Sequence, residues 1–255
     1  MSKFGLLGYK LGHSYSKIIH EEIYHKNNLE HQYDLLEIEE NEIPKFLDLL
    51  RNGIYSGYNV TIPYKEKVIP YLDELSIAAK EINAVNTIYL KDGKLIGDNT
   101  DYYGFIKELE YYNLDIFGLE VYILGTGGAA KAIFYAVKEL GGIPIFVSRS
   151  KEKGISYQEL SLKGKIPFIV NTTPLGMYPN VYESPLDKTT LDKVNAVVDI
   201  IFNPPVTKLL SYAKKGYNGE LMLIFQAIKA CKLWFNDEIN YDVDEIIKKI
   251  ESRNK

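Results

Sequence analysis

A glycine-rich turn between an apolar run and an amphipathic helix pattern is the feature that most constrains this fold. Residues 121–132 read V-Y-I-L-G-T-G-G-A-A-K-A, in which Gly125, Gly127 and Ala130 satisfy the spacing G-x-G-x-x-(G/A). The first glycine permits a tight turn, the second lets backbone approach a pyrophosphate, and the small third residue lets helix and strand pack closely. The start of the following helix offers unpaired N–H groups to phosphates. This context of strand, turn and helix favours dinucleotide binding over a purely structural turn.

The segment after the next predicted strand indicates which dinucleotide would bind. Sites for NAD usually place Asp or Glu about 20 residues beyond the first glycine, where it binds the ribose 2′-hydroxyl. This chain instead has Ser148, Arg149 and Ser150, with Lys153 just beyond. A guanidinium pairs well with a 2′-phosphate, and the hydroxyls and the lysine add donors. We therefore predict NADP over NAD; the alternative is a solvated basic loop.

Short apolar runs alternate with helical spacing along the chain, which predicts α/β architecture. In the first part, strands are predicted over 4–7, 33–38 and 58–62, and Asp92-Gly93 indicates a hairpin. A second unit begins near residue 102 and has the strand and helix order of a doubly wound sheet. The stretch from about 222 to 250 is mostly helical in pattern, and its place in the fold is left open by the sequence.

Composition and charge exclude several classes of protein. The net charge of −4 gives no field that would gather nucleic acid. A single cysteine, Cys231, excludes an intrachain disulfide and a zinc site built on C-x-x-C pairs. No apolar run approaches the roughly 18 residues that span a bilayer, and no signal peptide is evident. We expect a cytoplasmic protein with no nucleic-acid or membrane partner. The four histidines are irregularly spaced, so we expect no metal site.

Several polar residues follow predicted strands of the first part, where ligands collect in open α/β sheets. They are Ser14 and Ser16 after the first strand, Asn59 and Thr61 on the third, Lys65 beyond Pro63, Asn86 before a strand, and Asp101 at the junction with the second unit. Hydroxyls and amides both donate and accept, so they suit a polyhydroxylated ligand. Singly, each has a plainer explanation: Ser16 or Asp101 as a helix N-cap, Asn59 and Thr61 as a solvated strand face.

Lys65 and Asp101 form the candidate catalytic pair. A hydride-transfer enzyme needs an acid/base group for the substrate oxygen, because a nicotinamide moves only hydride. A lysine can supply the proton if a carboxylate orients it. The rest of the 63–67 segment, Glu66 and Lys67, is interpreted as a solvated face.

Ordered motifs along nearly the whole chain resemble the shikimate/quinate dehydrogenase family. They are the serine-bearing loop 8–16, N-V-T-I-P-Y-K at 59–65, A-V-N-T at 84–87, G-D-N-T-D at 97–101 with Gly104, the turn at 125–130, S-R-S-K-E-K at 148–153, N-T-T-P-L-G-M at 171–177, D-I-I-F-N-P-P-V-T-K-L at 199–209, and the segment 219–226. The resemblance implies NADP-dependent, reversible reduction of 3-dehydroshikimate to shikimate, in aromatic amino acid biosynthesis.

The resemblance also implies a fold and a set of site residues. An α/β substrate domain, 1–101 with the returning C-terminal helices 220–255, would be joined to a Rossmann-like NADP domain, 102–219, with the active site in the cleft between them. Lys65 would be the acid/base residue and Asp101 its partner. Substrate contacts would be Ser14, Ser16, Thr61, Asn86 and Gln226, with Asn59 a weaker candidate; cofactor contacts would be Gly125, Thr126, Gly127, Gly128, Ala129, Ser148, Arg149, Ser150, Lys153, Ile200 and Gly219. A monomer or a homodimer is expected.

Four positions depart from the family pattern: Lys17 replaces proline, Asn83 replaces glycine, Phe202 replaces tyrosine and Ser148 replaces asparagine. Asn tolerates the left-handed backbone region, so Asn83 is predicted to adopt it. Phe202 lacks a hydroxyl whose hydrogen bond would be worth on the order of 1 kcal/mol. Two alternatives to a shikimate dehydrogenase therefore stay open: an enzyme of broader range that also oxidises quinate, and a catalytically silent ligand-binding protein.

Overall fold

The computed structural model describes residues 1–12, 14–235 and 239–253. The chain forms two compact units, one of Met1–Gly104 with Leu223–Lys255 and the other of Phe105–Met222. The strands are β1 Lys3–Gly8, β2 Gln32–Glu37, β3 Gly57–Val60, β4 Glu74–Leu75, β5 Thr87–Lys91, β6 Lys94–Asp98, β7 Glu120–Leu124, β8 Ile143–Val147, β9 Ile166–Asn171, β10 Val194–Asp199 and β11 Gly216–Asn218. The α-helices are α1 Ser16–Lys26, α2 Ile43–Arg51, α3 Ile77–Ile82, α4 Asp101–Tyr111, α5 Gly128–Glu139, α6 Tyr157–Ser161, α7 Lys188–Leu191, α8 Lys208–Tyr212, α9 Glu220–Phe235 and α10 Val243–Arg253.

The first unit contains a six-stranded mixed sheet in the order β2-β1-β3-β5-β6-β4. Strands β2, β1 and β3 are parallel, whereas β5 runs antiparallel to both of its neighbours. Asp92 and Gly93 join β5 to β6 with φ of 51° and 76°, the positive values that a two-residue hairpin turn requires. The hairpin prediction is confirmed. Leu7, Tyr58 and Ile88 belong to the core on one face of this sheet.

The C-terminal helices pack on the first unit. Trp234 of α9 donates from Nε1 to the carbonyl of Ile88 at 3.3 Å. Gly57 of β3 is required beneath that indole, because a Cβ there would lie 2.4 Å from Nε1. Lys26 of α1 pairs with Glu245 of α10 at 2.7 Å. The predicted return of these helices to the first unit is therefore confirmed.

The second unit contains a five-stranded parallel sheet in the order β11-β10-β9-β7-β8. Its strands β7 and β9 are largely buried and mostly apolar, as parallel strands covered on both faces are. The chain passes from β7 to β8 and then returns to pair β9 on the other side of β7. The strand order thus reverses between β7 and β9, and ligands bind at the carboxyl ends of strands at such a point. The predicted Rossmann-like α/β class is confirmed.

Three local features bear on the site predictions. β3 ends at Val60, short of the predicted 62, because the carbonyl of Thr61 accepts from the N–H of Tyr64 at 2.9 Å and the chain turns there. α4 begins at Asp101 itself, so Asp101 is the first residue of the helix rather than the residue that precedes it. Asn83 has φ 53° and ψ 42°, which confirms the left-handed conformation predicted for it. No helix among the described residues is long and apolar enough to cross a membrane.

Candidate functional site

A close ion pair joins Lys65 and Asp101 in the first unit. Lys65 Nζ lies 2.5 Å from Asp101 Oδ2, and the two side chains are only 15% and 8% exposed. The backbone of Lys65 is fixed by Val85, whose N–H donates to the Lys65 carbonyl at 2.7 Å. Asp101 is the first residue of α4, where a helix stabilises a negative charge. The backbones of both residues are thus fixed, that of Lys65 by Val85 and that of Asp101 by helix α4.

Asn86 orients the carboxylate of that pair. Its Nδ2 donates to Asp101 Oδ1 at 2.8 Å and to Thr100 Oγ1 at 2.9 Å, with Gln226 Oε1 further away at 3.3 Å. Its Oδ1 accepts from the N–H of Thr100 at 2.6 Å. Because Asn86 occupies one carboxylate oxygen, the other is directed to Lys65. Gln226, on α9, also donates from Nε2 to Leu223 O at 2.9 Å, so its amide orientation is fixed.

Asn59 lies behind this network, within the sheet. Its Oδ1 accepts from the Tyr33 hydroxyl at 2.8 Å, and its Nδ2 donates to Thr87 Oγ1 at 3.1 Å and to Asn86 O at 3.3 Å. The side chain is almost fully buried. Its amide therefore bonds to protein groups that support Asn86. Thr61, beyond the end of β3, is half-buried, and none of the described residues hydrogen-bonds to its hydroxyl.

The two serines at the start of α1 are hydrogen-bonded to each other. Ser14 Oγ donates to Ser16 Oγ at 3.1 Å and accepts from the N–H of Ser16 at 3.2 Å. Ser16 is inside the helix, and Tyr15 holds the N-cap position without a side-chain cap, so Ser16 is not the N-cap. Burial raises the pKa of Tyr33 well above its usual range, and a hydrogen bond with Ser16 partly opposes this. Tyr33 thus links Ser16 to Asn59.

An aromatic layer lies behind Tyr33. The His20 ring stacks on the Tyr33 ring with centroids 4.1 Å apart, and His20 Nδ1 lies 3.2 Å from Cys231 Sγ. Burial lowers the pKa of His20 to about 3, so this imidazole is neutral, and burial raises the pKa of the Cys231 thiol. Neither group is poised for acid/base or nucleophilic chemistry at neutral pH. Over the described ranges, no three His, Cys, Asp or Glu side chains form a group that could hold a metal ion.

The glycine turn after β7 has the space and the donors for a pyrophosphate. Gly125 has φ of 107°, and a Cβ on it would lie 2.8 Å from Thr172 Oγ1. Gly127 is the N-cap of α5 without a side-chain acceptor, and a Cβ on it would meet nothing within 4 Å. The N-cap side chain therefore does not cap the first N–H groups of α5, which leaves them for a phosphate. Thr126 is half-buried beside them.

The end of β8 fits a 2′-phosphate. Ser148 is buried and its Oγ accepts from the N–H of Ser150 at 3.1 Å, which shapes the loop. Arg149, Ser150 and Lys153 lie beyond it, and no acidic side chain in the described part of the chain pairs with Arg149. The guanidinium is therefore available to an anion. These residues lie one strand away from the glycine turn, because β8 is the parallel neighbour of β7.

Ile200 and Gly219 meet at the carboxyl ends of β10 and β11. A Cβ on Gly219 would lie 2.3 Å from the carbonyl oxygen of Ile200, so only glycine fits there. The N–H of Ile200 donates to Asn171 O at 3.1 Å, which ties it to the end of β9. Together with the turn at Gly125, they place all the predicted cofactor residues of the second unit along one edge of its sheet.

Some residues of these networks were not among the predicted site residues. Thr100 and Thr87 complete the bonds of Asn86 and Asn59, and the Tyr33 hydroxyl donates to Asn59. Thr100 could have been inferred from its place in the Asn-Thr-Asp stretch at 99–101. Tyr33 could not, because a tyrosine in a predicted strand is usually a core residue.

Comparison with known proteins identifies the family. Residues 6–88 match the model of the shikimate dehydrogenase substrate binding domain. The chain is 40% identical to the shikimate dehydrogenase (NADP(+)) of Clostridium perfringens, over 97% of each chain. Shikimate dehydrogenase 1 from Peptoclostridium difficile superposes with a TM-score of 0.90 at 38% identity, over 99% of each chain. Shikimate 5-dehydrogenase from Thermus thermophilus, solved in complex with NADP(H) and shikimate, superposes with a TM-score of 0.90 at 28% identity, again over 99% of each chain. This chain therefore belongs to the shikimate dehydrogenase family.

Proposed function

We propose that this protein is an NADP-dependent shikimate dehydrogenase that interconverts 3-dehydroshikimate and shikimate. The observation that carries the proposal is the buried ion pair of Lys65 and Asp101, with the carboxylate oriented by Asn86. The names of the relatives support the reaction and the cofactor. A catalytically silent binding protein would have no need to keep this pair.

Lys65 is the proposed acid/base group. When bound, NADPH supplies the hydride for the ketone carbon of 3-dehydroshikimate. Lys65 then gives a proton from Nζ to the ketone oxygen, and in the reverse direction it takes the hydroxyl proton of shikimate. Asp101 keeps the ammonium of Lys65 in one orientation, since its Oδ2 is 2.5 Å away. Asn86 prevents the carboxylate from rotating.

The substrate is proposed to bind through the polar groups around that pair. Ser14, Ser16, Thr61, Asn86 and Gln226 offer hydroxyls and amides that match a ring bearing hydroxyls and a carboxylate. Asn59 is proposed to support Asn86 from behind, because its own amide is satisfied by protein groups. A site built on such hydrogen bonds rejects analogues that lack one of them.

NADP is proposed to bind along the carboxyl edge of the second sheet. The glycine turn would receive the pyrophosphate on backbone N–H groups, and Arg149 with Lys153 and the hydroxyls of Ser148 and Ser150 would receive the 2′-phosphate. Ile200 and Gly219 would contact the other half of the cofactor. We also propose a cytoplasmic location and a monomer or homodimer, which fractionation and light scattering would determine.

One assay panel tests the proposal: steady-state formation of reduced cofactor with shikimate or quinate and with NADP or NAD. We expect turnover with shikimate and NADP, with kcat/KM at least about tenfold lower for NAD because a charge-assisted phosphate contact is lost. Comparable turnover of quinate would establish the enzyme of broader range, for which the loss of a hydroxyl at Phe202 is the motivating departure. No turnover with either substrate would refute the enzyme assignment and leave the silent binding protein.

A further inference from the structure

A buried carboxylate in the second unit is not used by the proposed mechanism. Asp199, the last residue of β10, is fully buried together with Asn171 and Thr207. Its Oδ1 accepts from Asn171 Nδ2 at 2.9 Å and from the N–H of Ile201 at 3.2 Å, and its Oδ2 accepts from the Thr207 hydroxyl at 2.6 Å. Burying a carboxylate is costly, and only several hydrogen bonds make it tolerable. An apolar residue would serve the core at a lower cost in free energy.

The carboxylate joins the segments that follow two neighbouring strands. Asn171, its first partner, ends β9 and accepts at Oδ1 from both the N–H and the hydroxyl of Thr173, at 3.0 Å and 2.7 Å. Thr207, its other side-chain partner, caps α8 by accepting from the N–H of Leu210 at 3.2 Å. Asp199 therefore fixes the backbone conformation of the segments that follow β9 and β10.

The residues held in this way border the glycine turn. Thr172 donates from its N–H and its hydroxyl to Leu124 O, at 3.0 Å and 2.6 Å, and its Oγ1 faces the α-carbon of Gly125. Ile200 directly follows Asp199 and donates to Asn171 O. Both residues thus lie on the side of the turn away from β8.

Strand order determines which half of a dinucleotide reaches this side. The strands run β8, β7, β9, β10 across the sheet. The candidate 2′-phosphate site follows β8 and the candidate pyrophosphate site follows β7. A bound dinucleotide that occupies both must extend its nicotinamide half beyond the ends of β9 and β10.

We propose that Asp199 is a positioning residue that holds Thr172, Thr173 and Ile200 in the arrangement required to orient the nicotinamide half of NADP. The inference rests on the proposed function. Asp199 is proposed to act without touching the cofactor. It would do so by holding Asn171 and Thr207 in place through its hydrogen bonds. Burial raises the pKa of Asp199 to about 6, opposed by its three hydrogen bonds. At a pH of about 8 the carboxylate is ionised and can accept all three.

The test compares Asp199→Ala, Asp199→Asn and the wild-type enzyme at pH ~8. Two ligands are used: NADP, and adenosine 2′,5′-bisphosphate, which lacks the nicotinamide half. Asp199→Ala is expected to lower kcat/KM for NADP by about tenfold or more, since loss of orientation lowers the rate. Its Kd for the bisphosphate, measured by calorimetry, is expected to stay within about twofold of wild type. Asp199→Asn should recover most of the activity, because its amide oxygen can still accept from Asn171 and Ile201.

Controls separate positioning from general stability. Asp187→Ala removes another side-chain cap of the same unit, the acceptor for Thr190 N–H at 2.7 Å. It should leave kcat/KM for NADP and Kd for the bisphosphate unchanged. If Asp199→Ala does not fold, Thr207→Val against Thr207→Ser gives the same comparison, because only serine keeps the hydroxyl that donates to Asp199. An equal loss in kcat/KM for NADP and in affinity for the bisphosphate would overturn the proposal, and so would no loss in either. Wild-type enzyme that binds NADP but turns over nothing would refute the proposed function instead. The Kd of NADP for Asp199→Ala, measured by calorimetry beside that of the bisphosphate, would then decide the role of Asp199: weaker binding of NADP alone would support it.

Discussion

The candidate sites of the two units are assembled in different ways. In the first unit, Lys65, Asn86, Asp101 and Gln226 come from widely separated positions and meet in one network of side-chain hydrogen bonds. In the second unit, the glycine turn acts through its backbone and through the absence of side chains, and the basic loop is a continuous stretch at 148–153. A site of the first kind depends on tertiary structure, whereas one of the second kind is largely local.

The comparison also separates two kinds of chemistry. The first unit offers groups that can move a proton and discriminate hydroxyl positions. The described residues of the glycine turn and the basic loop in the second unit offer groups that bind an anion and hold a large ligand. Substitution of the proton-transfer residue of the first unit should therefore lower kcat, whereas substitution of an anion-binding residue of the second unit should weaken cofactor binding.

Lys65→Met is expected to have the largest effect. Methionine keeps the length and apolar stem of the side chain but cannot transfer a proton. We expect kcat to fall by roughly 10²- to 10⁴-fold, the usual contribution of an acid/base group, with KM for shikimate changed far less. The matched control is Lys67→Met, which removes a nearby exposed lysine that pairs with Glu40 and should leave kcat unchanged. A large rise in KM with little change in kcat would make Lys65 a binding residue.

Arg149→Ala is expected to act on the cofactor alone. Removing the guanidinium should lower kcat/KM for NADP by about 10- to 100-fold, since a charge-assisted contact with a phosphate is worth on the order of 1.5–3 kcal/mol. kcat/KM for NAD, which has no 2′-phosphate, should be nearly unchanged. Lys138→Ala, at the exposed end of α5, is the control for loss of one positive charge. Equal losses for the two cofactors would show that Arg149 does not read the 2′-phosphate.

Tyr33→Phe tests how far the first site depends on groups behind it. The substitution keeps the ring that stacks on His20 but removes the hydroxyl that donates to Asn59 Oδ1. One buried hydrogen bond contributes about 0.5–1.5 kcal/mol, so KM for shikimate should rise by roughly 2- to 10-fold, with Kd for NADP unaffected. Tyr24→Phe is the control, because the buried Tyr24 hydroxyl has no hydrogen-bond partner among the described residues. An equal rise in KM for shikimate in both variants would mean that the effect comes from altered core packing and not from the bond to Asn59.

Glu108→Gln should affect stability and not catalysis. Glu108 lies on α4, fully buried, and no described residue hydrogen-bonds to either carboxyl oxygen. Burial raises its pKa well above the usual range, so the folded protein holds this proton to a higher pH than the unfolded chain does. The unfolded chain ionises it above about pH 4.3. Stability is therefore lost as the pH rises from that value towards the folded pKa, by at most about 1.4 kcal/mol per pH unit.

Urea denaturation from about pH 5 to about pH 8 measures that contribution. The free energy of unfolding of the wild type should fall relative to Glu108→Gln as the pH rises. Asp199, whose raised pKa of about 6 acts in the same direction below that pH, is present in both proteins and cancels in the difference. Parallel pH profiles would mean that Glu108 has a similar pKa in the folded and unfolded chain.

Much of the second unit was predictable from the sequence because its signals are local. The glycine spacing, the apolar strand before it and the basic loop all lie within the single stretch 121–153. In the first unit, the residue types at strand ends were visible, and the family resemblance suggested their roles. Their connections are not predictable: nothing in the sequence indicates that the amide of Asn59, a weaker candidate for substrate contact, bonds to Tyr33 and Thr87. Which buried polar group bonds to which depends on packing between distant segments, and spacing along the chain does not contain it.

The central claim is that Lys65 transfers the proton that accompanies hydride transfer and does not serve to hold the substrate. The most direct test is the primary kinetic isotope effect with NADPH deuterated at the transferred position, measured for wild type and Lys65→Met beside the Kd of shikimate from calorimetry. We expect a larger isotope effect on kcat in Lys65→Met, because chemistry becomes rate-limiting, with a shikimate Kd within a few-fold of wild type. An unchanged isotope effect together with a greatly weakened shikimate Kd would contradict it.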